Sequence, residues 1–317
     1  MFINNYNFIQ EKLDNQKIII LDGANGSELE KRGAIMDQIG WCAPASLTHP
    51  NILTDIHSDY IKAGADIITT NTFCSARHVL EFSQKYKNLS VEINEKAVEC
   101  ALESRKKFPN KNICIAGSLS LSYVADIVKN KKHNLAFRRE IYGEYDYETL
   151  LTNFKEQISI FEKYEIDLII LEMIVDPKIC KPAIDAALLS KMPVWLGLSC
   201  GDLDVDKNLF AFESQEIKFN ETLKMINNEF KAVLLMHSQV KNISKGLEEI
   251  KNCWNGPLGT YPHIGSFERP HWKHDNDYTP EKYLNAMRSW IDQGATIIGS
   301  CCGMGPEYTS ILRKNFI

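Results

Sequence analysis

Eight short apolar runs recur along the chain, separated by longer segments with helical amphipathicity, and this alternation constrains the fold more than any other feature. The runs cover residues 17–22, 66–70, 113–117, 167–172, 194–199, 232–236, 257–261 and 296–300. Most are continuously apolar rather than alternating, as strands covered on both faces must be. Helical spacing predicts helices over 52–63, 90–107, 147–164, 177–189, 219–228 and 280–293. Strands alternating with helices signal βαβ units and a parallel sheet. Eight such units close most economically into an α/β (β/α)8 TIM barrel, here a single domain spanning 1–317. A doubly wound open sheet is the alternative, but it would not bring the first and last strands together.

Bulk properties narrow the function. The 317 residues are 44% hydrophobic and 24% charged, ordinary for a globular chain. The net charge of -5 and the absence of a dense basic stripe argue against nucleic-acid binding; 129–132 is only a short cationic patch. No run approaches the roughly 18 apolar residues that span a bilayer. The start of the chain lacks the basic region and apolar core of a signal peptide. Nine scattered cysteines, an odd number, suit a reduced, cytoplasmic compartment where thiols serve metals or catalysis. Composition leaves a homo-oligomer open. Two stretches, 120–146 and 262–280, are too long for ordinary connections and are expected as rim or lid segments of the barrel. The second carries His263, His271, Trp272 and His274; its histidine spacings match no ligand template and are expected at the surface.

Barrel enzymes place their chemistry at the C-terminal ends of strands. There the chain offers Asp22 and Gly23, Thr70 and Thr72, Glu172, Cys200, His237, and the Gly299-Ser-Cys-Cys-Gly303 turn with Cys301 and Cys302. Adjacent thiols suit metal ligation or redox chemistry, or they simply pack. A carboxylate ending an apolar strand is costly to desolvate unless it meets a cation or several donors. A substrate ammonium would satisfy both Asp22 and Glu172; capping of nearby amides is the plainer use. Cys301 and Cys302 with His237 would form a Cys2His set, known for catalytic zinc, and Cys200 is an alternative third ligand.

Taken together these residues make the chain resemble the homocysteine S-methyltransferase family, which includes betaine–homocysteine and S-methylmethionine–homocysteine methyltransferases. The resemblance runs through Leu21-Asp-Gly-Ala-Asn-Gly26, Leu29-Glu-Lys-Arg-Gly33, Gly40-Trp41, His49-Pro50, Gly64 to Asp66, Asn71-Thr-Phe73, Ala116-Gly-Ser118, Glu172 and Tyr261-Pro262. Its strongest part is Gly299-Ser-Cys-Cys-Gly-Met-Gly-Pro-Glu307, similar to the family's Gly-Gly-Cys-Cys-Gly-Thr-x-Pro-Glu ending. The resemblance implies a Zn2+-dependent barrel in which homocysteine thiolate attacks a methyl donor to give methionine. Cys301 and Cys302 would be zinc ligands, and Asp22 and Glu172, helped by the backbone at Gly23, would hold the amino-acid ammonium. Trp41 sits where an aromatic lines the donor pocket, and its face would attract an onium group with about 0.5–2 kcal/mol; loop packing is its other reading. Direct transfer is expected, with no further domain for cobalamin or folate. The chain departs from the family at one position, because His237 falls where a third zinc cysteine is expected. Either His237 ligates, or Cys200 takes over, or the site serves another thiol or onium substrate. A thiol redox or binding protein without catalytic metal is the reading from a different class.

Overall fold

The computed structural model describes residues 5–121 and 145–317. Its strands in chain order are β1 (Ile19–Ile20), β2 (Ile67–Thr69), β3 (Cys114–Ser120), β4 (Leu168–Ile174), β5 (Val194–Leu198), β6 (Cys200–Leu203) and β7 (Leu209–Ala211). Then come β8 (Ala232–Gln239), β9 (Leu258–His263), β10 (Ser266–Glu268), β11 (His271–Lys273) and β12 (Ile297–Ile298). Eight of them form one sheet in the order β1-β12-β9-β8-β5-β4-β3-β2, with every pairing parallel. A parallel bridge between Leu21 and Ile67 joins the two ends of that order, so the ring closes as the TIM barrel expected from the sequence.

Each expected run holds one barrel strand, and the burial pattern explains why the runs read as continuous. Ile19, Leu21, Ile67, Cys114, Ala116, Leu168, Ile170, Leu234 and Ile297 fill the inside of the barrel. Their neighbours Ile20, Ile68, Ile115, Ile169, Leu171, Val233, Leu235 and Ile298 pack outward against the helices. Both faces are dry, so neither admits polar alternation. The helices begin where polar caps and prolines sit. Asp176 accepts from Lys178 N at 3.0 Å before Pro177–Leu189, and Thr279 precedes Pro280–Asp292. The helix expected over 219–228 is shorter: Phe219–Thr222 passes into a 3-10 turn at Leu223–Met225 ahead of Asn227 and Asn228, both weak helix formers.

Two hairpins go beyond the sequence reading. β6–β7 follows β5 directly, and β10–β11 lies inside the 262–280 segment. Of the 120–146 segment, 122–144, with its cationic patch, lies outside the described residues. No described helix is long and apolar enough to cross a membrane.

At the N-terminal end of the barrel, Asp66 gathers the closure. Its carboxylate accepts from Ile20 N at 2.9 Å, Lys12 Nζ at 2.7 Å and Arg313 at 3.5 Å, tying β1 to the first and last helices. Lys12 and Arg313 are partly exposed, so the buried amide carries most of the effect. Asp66→Ala should lower the unfolding free energy by about 2–3 kcal/mol, since the Ile20 amide would lose its charged acceptor. Chemical denaturation measures this, and unchanged stability would contradict the role.

Candidate active site

The turn after β12 is shaped by close approach. Gly303 has φ +85°, and a Cβ there would lie 2.3 Å from Ile264 O, so only glycine fits. Around it, Cys301 N donates to Pro262 O at 2.9 Å, Ile264 N to Cys302 O at 3.1 Å, and Gly303 N to Ser27 Oγ at 2.9 Å. These bonds hold Cys301 Sγ 3.9 Å from Cys302 Sγ and 3.3 Å from His237 Nδ1. A tetrahedral zinc with ordinary Zn–S and Zn–N lengths requires ligand edges of about 3.8 and about 3.5 Å. The three ligand atoms lie within 4.8 Å of one another, a spacing and donor set that fit such an ion. The Cys301 thiol is pushed well above its ordinary pKa by its hydrogen bond with Cys302 and by burial. A cation would reverse that balance.

Cys200 stands apart from this cluster. It borders the cavity, yet its sulfur faces the helix Val240–Lys251, where a Cβ on Gly246 would lie 3.4 Å from it. Burial raises its pKa to about 12, and its amide donates to Ser238 Oγ at 2.9 Å. His263 differs from its expected surface position: it is 6% exposed, and its ring lies 4.3 Å from that of His237. Burial lowers its pKa to about 4. His271 is exposed and contacts Glu30, as a surface histidine.

Asp22 and Glu172 are both buried at the same mouth. Asp22 accepts from Thr69 N at 2.7 Å and Thr69 Oγ1 at 3.0 Å. Glu172 accepts from Tyr261 OH at 3.0 Å and from Ser118 Oγ. Burial, opposed by the Thr69 bonds and reinforced by Glu172, lifts the Asp22 pKa to about 8. Burial also raises that of Glu172. Tyr261 feels the charges of Glu172, Cys301 and Asp22 together, which places carboxylates and thiol within electrostatic reach of one residue.

These groups open on a cavity of about 1310 Å³. Gly23, Thr70 and Trp41 line it. Thr72 does not: it is fully buried and donates to Ser118 O at 2.7 Å, bracing the wall instead of facing a ligand. Trp41 (φ +46°) lies over Gly26, where a Cβ would be 2.4 Å from the indole, and meets Phe267 edge-on at 5.4 Å. Phe212, Phe267 and Trp272 add aromatic wall from the two hairpins. Among the described residues, the carboxylates at its border are Asp22, Glu172, Asp202, Asp204, Glu213 and Glu216, of which Asp202 pairs with Lys241 and Asp204 with Lys218, and the guanidinium is Arg269. Sequence reasoning did not name Phe212 or Phe267, and gave Ser118 and Tyr261 only as part of the resemblance, without a role in the site; for Tyr261 the signal was its place at the end of the seventh run.

The sequence profile of the family described as Homocysteine S-methyltransferase matches residues 19–316. The barrel and this match define a methyltransferase, and the chain belongs to the homocysteine S-methyltransferase family. Among its relatives, Homocysteine S-methyltransferase YbgG of Bacillus subtilis (strain 168) is 26% identical over 318 residues, covering 95% of each chain. Selenocysteine Se-methyltransferase of Brassica oleracea var. italica is 24% identical over 319 residues, covering 94% of this chain and 88% of that one. The metallated form of the homocysteine methyltransferase MmuM from Escherichia coli has the same fold, with a TM-score of 0.72 at 20% identity over 98% of this chain and 99% of its own.

The buried Asp22 makes a prediction about stability. Its folded pKa of about 8 lies above its unfolded value, so the folded state retains a proton that the unfolded chain has released. Its presence therefore costs stability progressively as pH rises from about 4 to about 8. Metal-free Asp22→Asn should melt above the parent at pH 8, with the gap closing toward pH 4. A gap independent of pH would contradict the burial argument.

Proposed function

We propose that the enzyme transfers a methyl group from a small onium donor, betaine-like or S-methylmethionine-like, to the thiol of homocysteine, giving methionine. Zinc, when bound, supplies the charge that turns a ligated thiol into a thiolate at neutral pH. His237, Cys301 and Cys302 would hold it. The observation that carries the reading is that this Cys2His cluster and the Asp22–Glu172 pair open on one cavity. An amino acid with a side-chain thiol presents both a sulfur for the first and an ammonium for the second.

Asp22 and Glu172 would orient the acceptor by its ammonium, each carboxylate being fixed in turn by Thr69 or by Tyr261 and Ser118. The ammonium would also offset their desolvation. Pockets for one drug-sized ligand run to about 1,000 Å³. This cavity is larger and has room for acceptor and donor together. Its aromatic faces suit a cationic donor, with Trp41 offering cation–π attraction. The transfer itself is one displacement: the new S–CH3 bond forms as the donor's onium–CH3 bond breaks, and the electron pair leaves with the donor. Holding both partners in line lowers its barrier chiefly by proximity. With His237 in place of a third thiolate, the donor set is one charge less negative, so a bound thiol should be more acidic and less nucleophilic.

Zinc-loaded protein given homocysteine and either glycine betaine or S-methylmethionine should form methionine. Asp22→Asn should lower kcat/KM for homocysteine by about 10²-fold or more through the lost ammonium contact. No methionine from any onium donor would overturn the reading. Selenocysteine as acceptor, run in parallel, tests the other amino acid named among the relatives.

A further inference from the structure

His237 does not hold its position unaided. Its main chain is left-handed, with φ +42°, a conformation that non-glycine residues keep only where their surroundings enforce it. The β8–β9 ladder also breaks there, since its register shifts between Met236 and Gln239. Strand pairing therefore does not fix residue 237.

His263 supplies what the ladder lacks. It pairs with Gln239 across the break. Its imidazole, buried with Nδ1 unpartnered among the described residues, covers the His237 ring at 4.3 Å and 33°. Trp272 closes the stack edge-on at 5.9 and 5.8 Å, and its own Nε1 is fixed to Ile264 O at 3.1 Å. Phe212 meets both rings edge-on from the other hairpin, at 5.3 and 6.1 Å.

We propose that His263 is a positioning residue for the metal centre: its ring, stacked on that of His237, fixes the plane of the His237 imidazole, so that Nδ1 faces Cys301. The inference rests on His237 being a ligand, as proposed above. Supports of this kind typically change metal affinity by about 10–100-fold when removed.

The test is zinc competition against a chromophoric chelator, together with Co2+ absorption spectra, on the full-length protein. It compares the parent with His263→Ala, His263→Gln, His263→Phe and His237→Ala. Expected is about 10–100-fold weaker zinc binding in His263→Ala with an altered Co2+ spectrum. His263→Phe, which keeps an aromatic ring over His237 but cannot ligate, should recover most of the affinity. Parent-like affinity and spectrum in His263→Ala, alongside a loss in His237→Ala, would overturn the clamp and leave the ligand reading standing. Parent-like binding in His237→Ala would overturn the ligand reading itself, and the clamp with it. A loss that His263→Phe does not restore would also overturn the clamp, because ring cover would then not be what His263 supplies. Should His263→Ala fail to fold, the comparison of His263→Gln with His263→Phe decides: tighter zinc binding by the phenylalanine variant supports the stacked ring, and equal binding overturns it.

Discussion

Two residue pairs, Ile19 with Ile297 and Ile20 with Ile298, join the first barrel strand to the last, and the site depends on that junction. It places Asp22 and Gly23 beside the Ser300–Gly303 turn: Ser300 N donates to Asp22 O at 3.2 Å, and a Cβ on Gly23 would lie 2.6 Å from Ser300 Oγ. A carboxylate from one end of the chain thereby shares a cavity with two thiols from the other. An open sheet made from the same strands would separate them. The Asp66 contacts at the opposite end of the barrel and the Leu21–Ile67 bridge keep the ring shut.

Within that ring, the mouth collects groups that an apolar barrel would otherwise exclude. Asp22 and Glu172 are held by short lists of donors that orient them without fully offsetting their burial, which is why both pKa values rise. The Cys301 thiol is likewise held in its neutral form by Cys302 and by burial. Each of these costs would fall on meeting an opposite charge, an ammonium for the carboxylates and a cation for the thiols. Stability that these buried groups withhold from the fold becomes available for binding, the usual relation between a preorganised site and its ligands. His237 belongs to the same pattern, since its left-handed backbone is tolerated inside a box of His263, Phe212 and Trp272.

The barrel was legible because continuous apolar runs at this spacing have few other uses, and the strand-end rule then pointed to the neighbourhoods of Asp22, Glu172, His237 and Cys301. What escaped the sequence lies where local pattern and tertiary direction separate. Thr72 ends a strand as Thr70 does, but it turns to Ser118 O, a choice set by the neighbouring strand. Cys200 also ends a strand, yet continuation into β6 points its sulfur at Gly246. The histidines of 262–280 looked alike in sequence, while β9 extends far enough to bury His263 and leaves His271 in solvent. The β6–β7 hairpin was hidden by its acidic, turn-like composition, although it supplies a wall of the cavity.

The central claim is that His237, Cys301 and Cys302 form one zinc centre that receives a thiol substrate. X-ray absorption at the zinc edge, recorded on the loaded protein without and with homocysteine, addresses it most directly. The account predicts two sulfur scatterers and an imidazole in the free enzyme, rising to three sulfurs with homocysteine. Three sulfurs before substrate is added, or no change in sulfur count on adding it, would contradict the account.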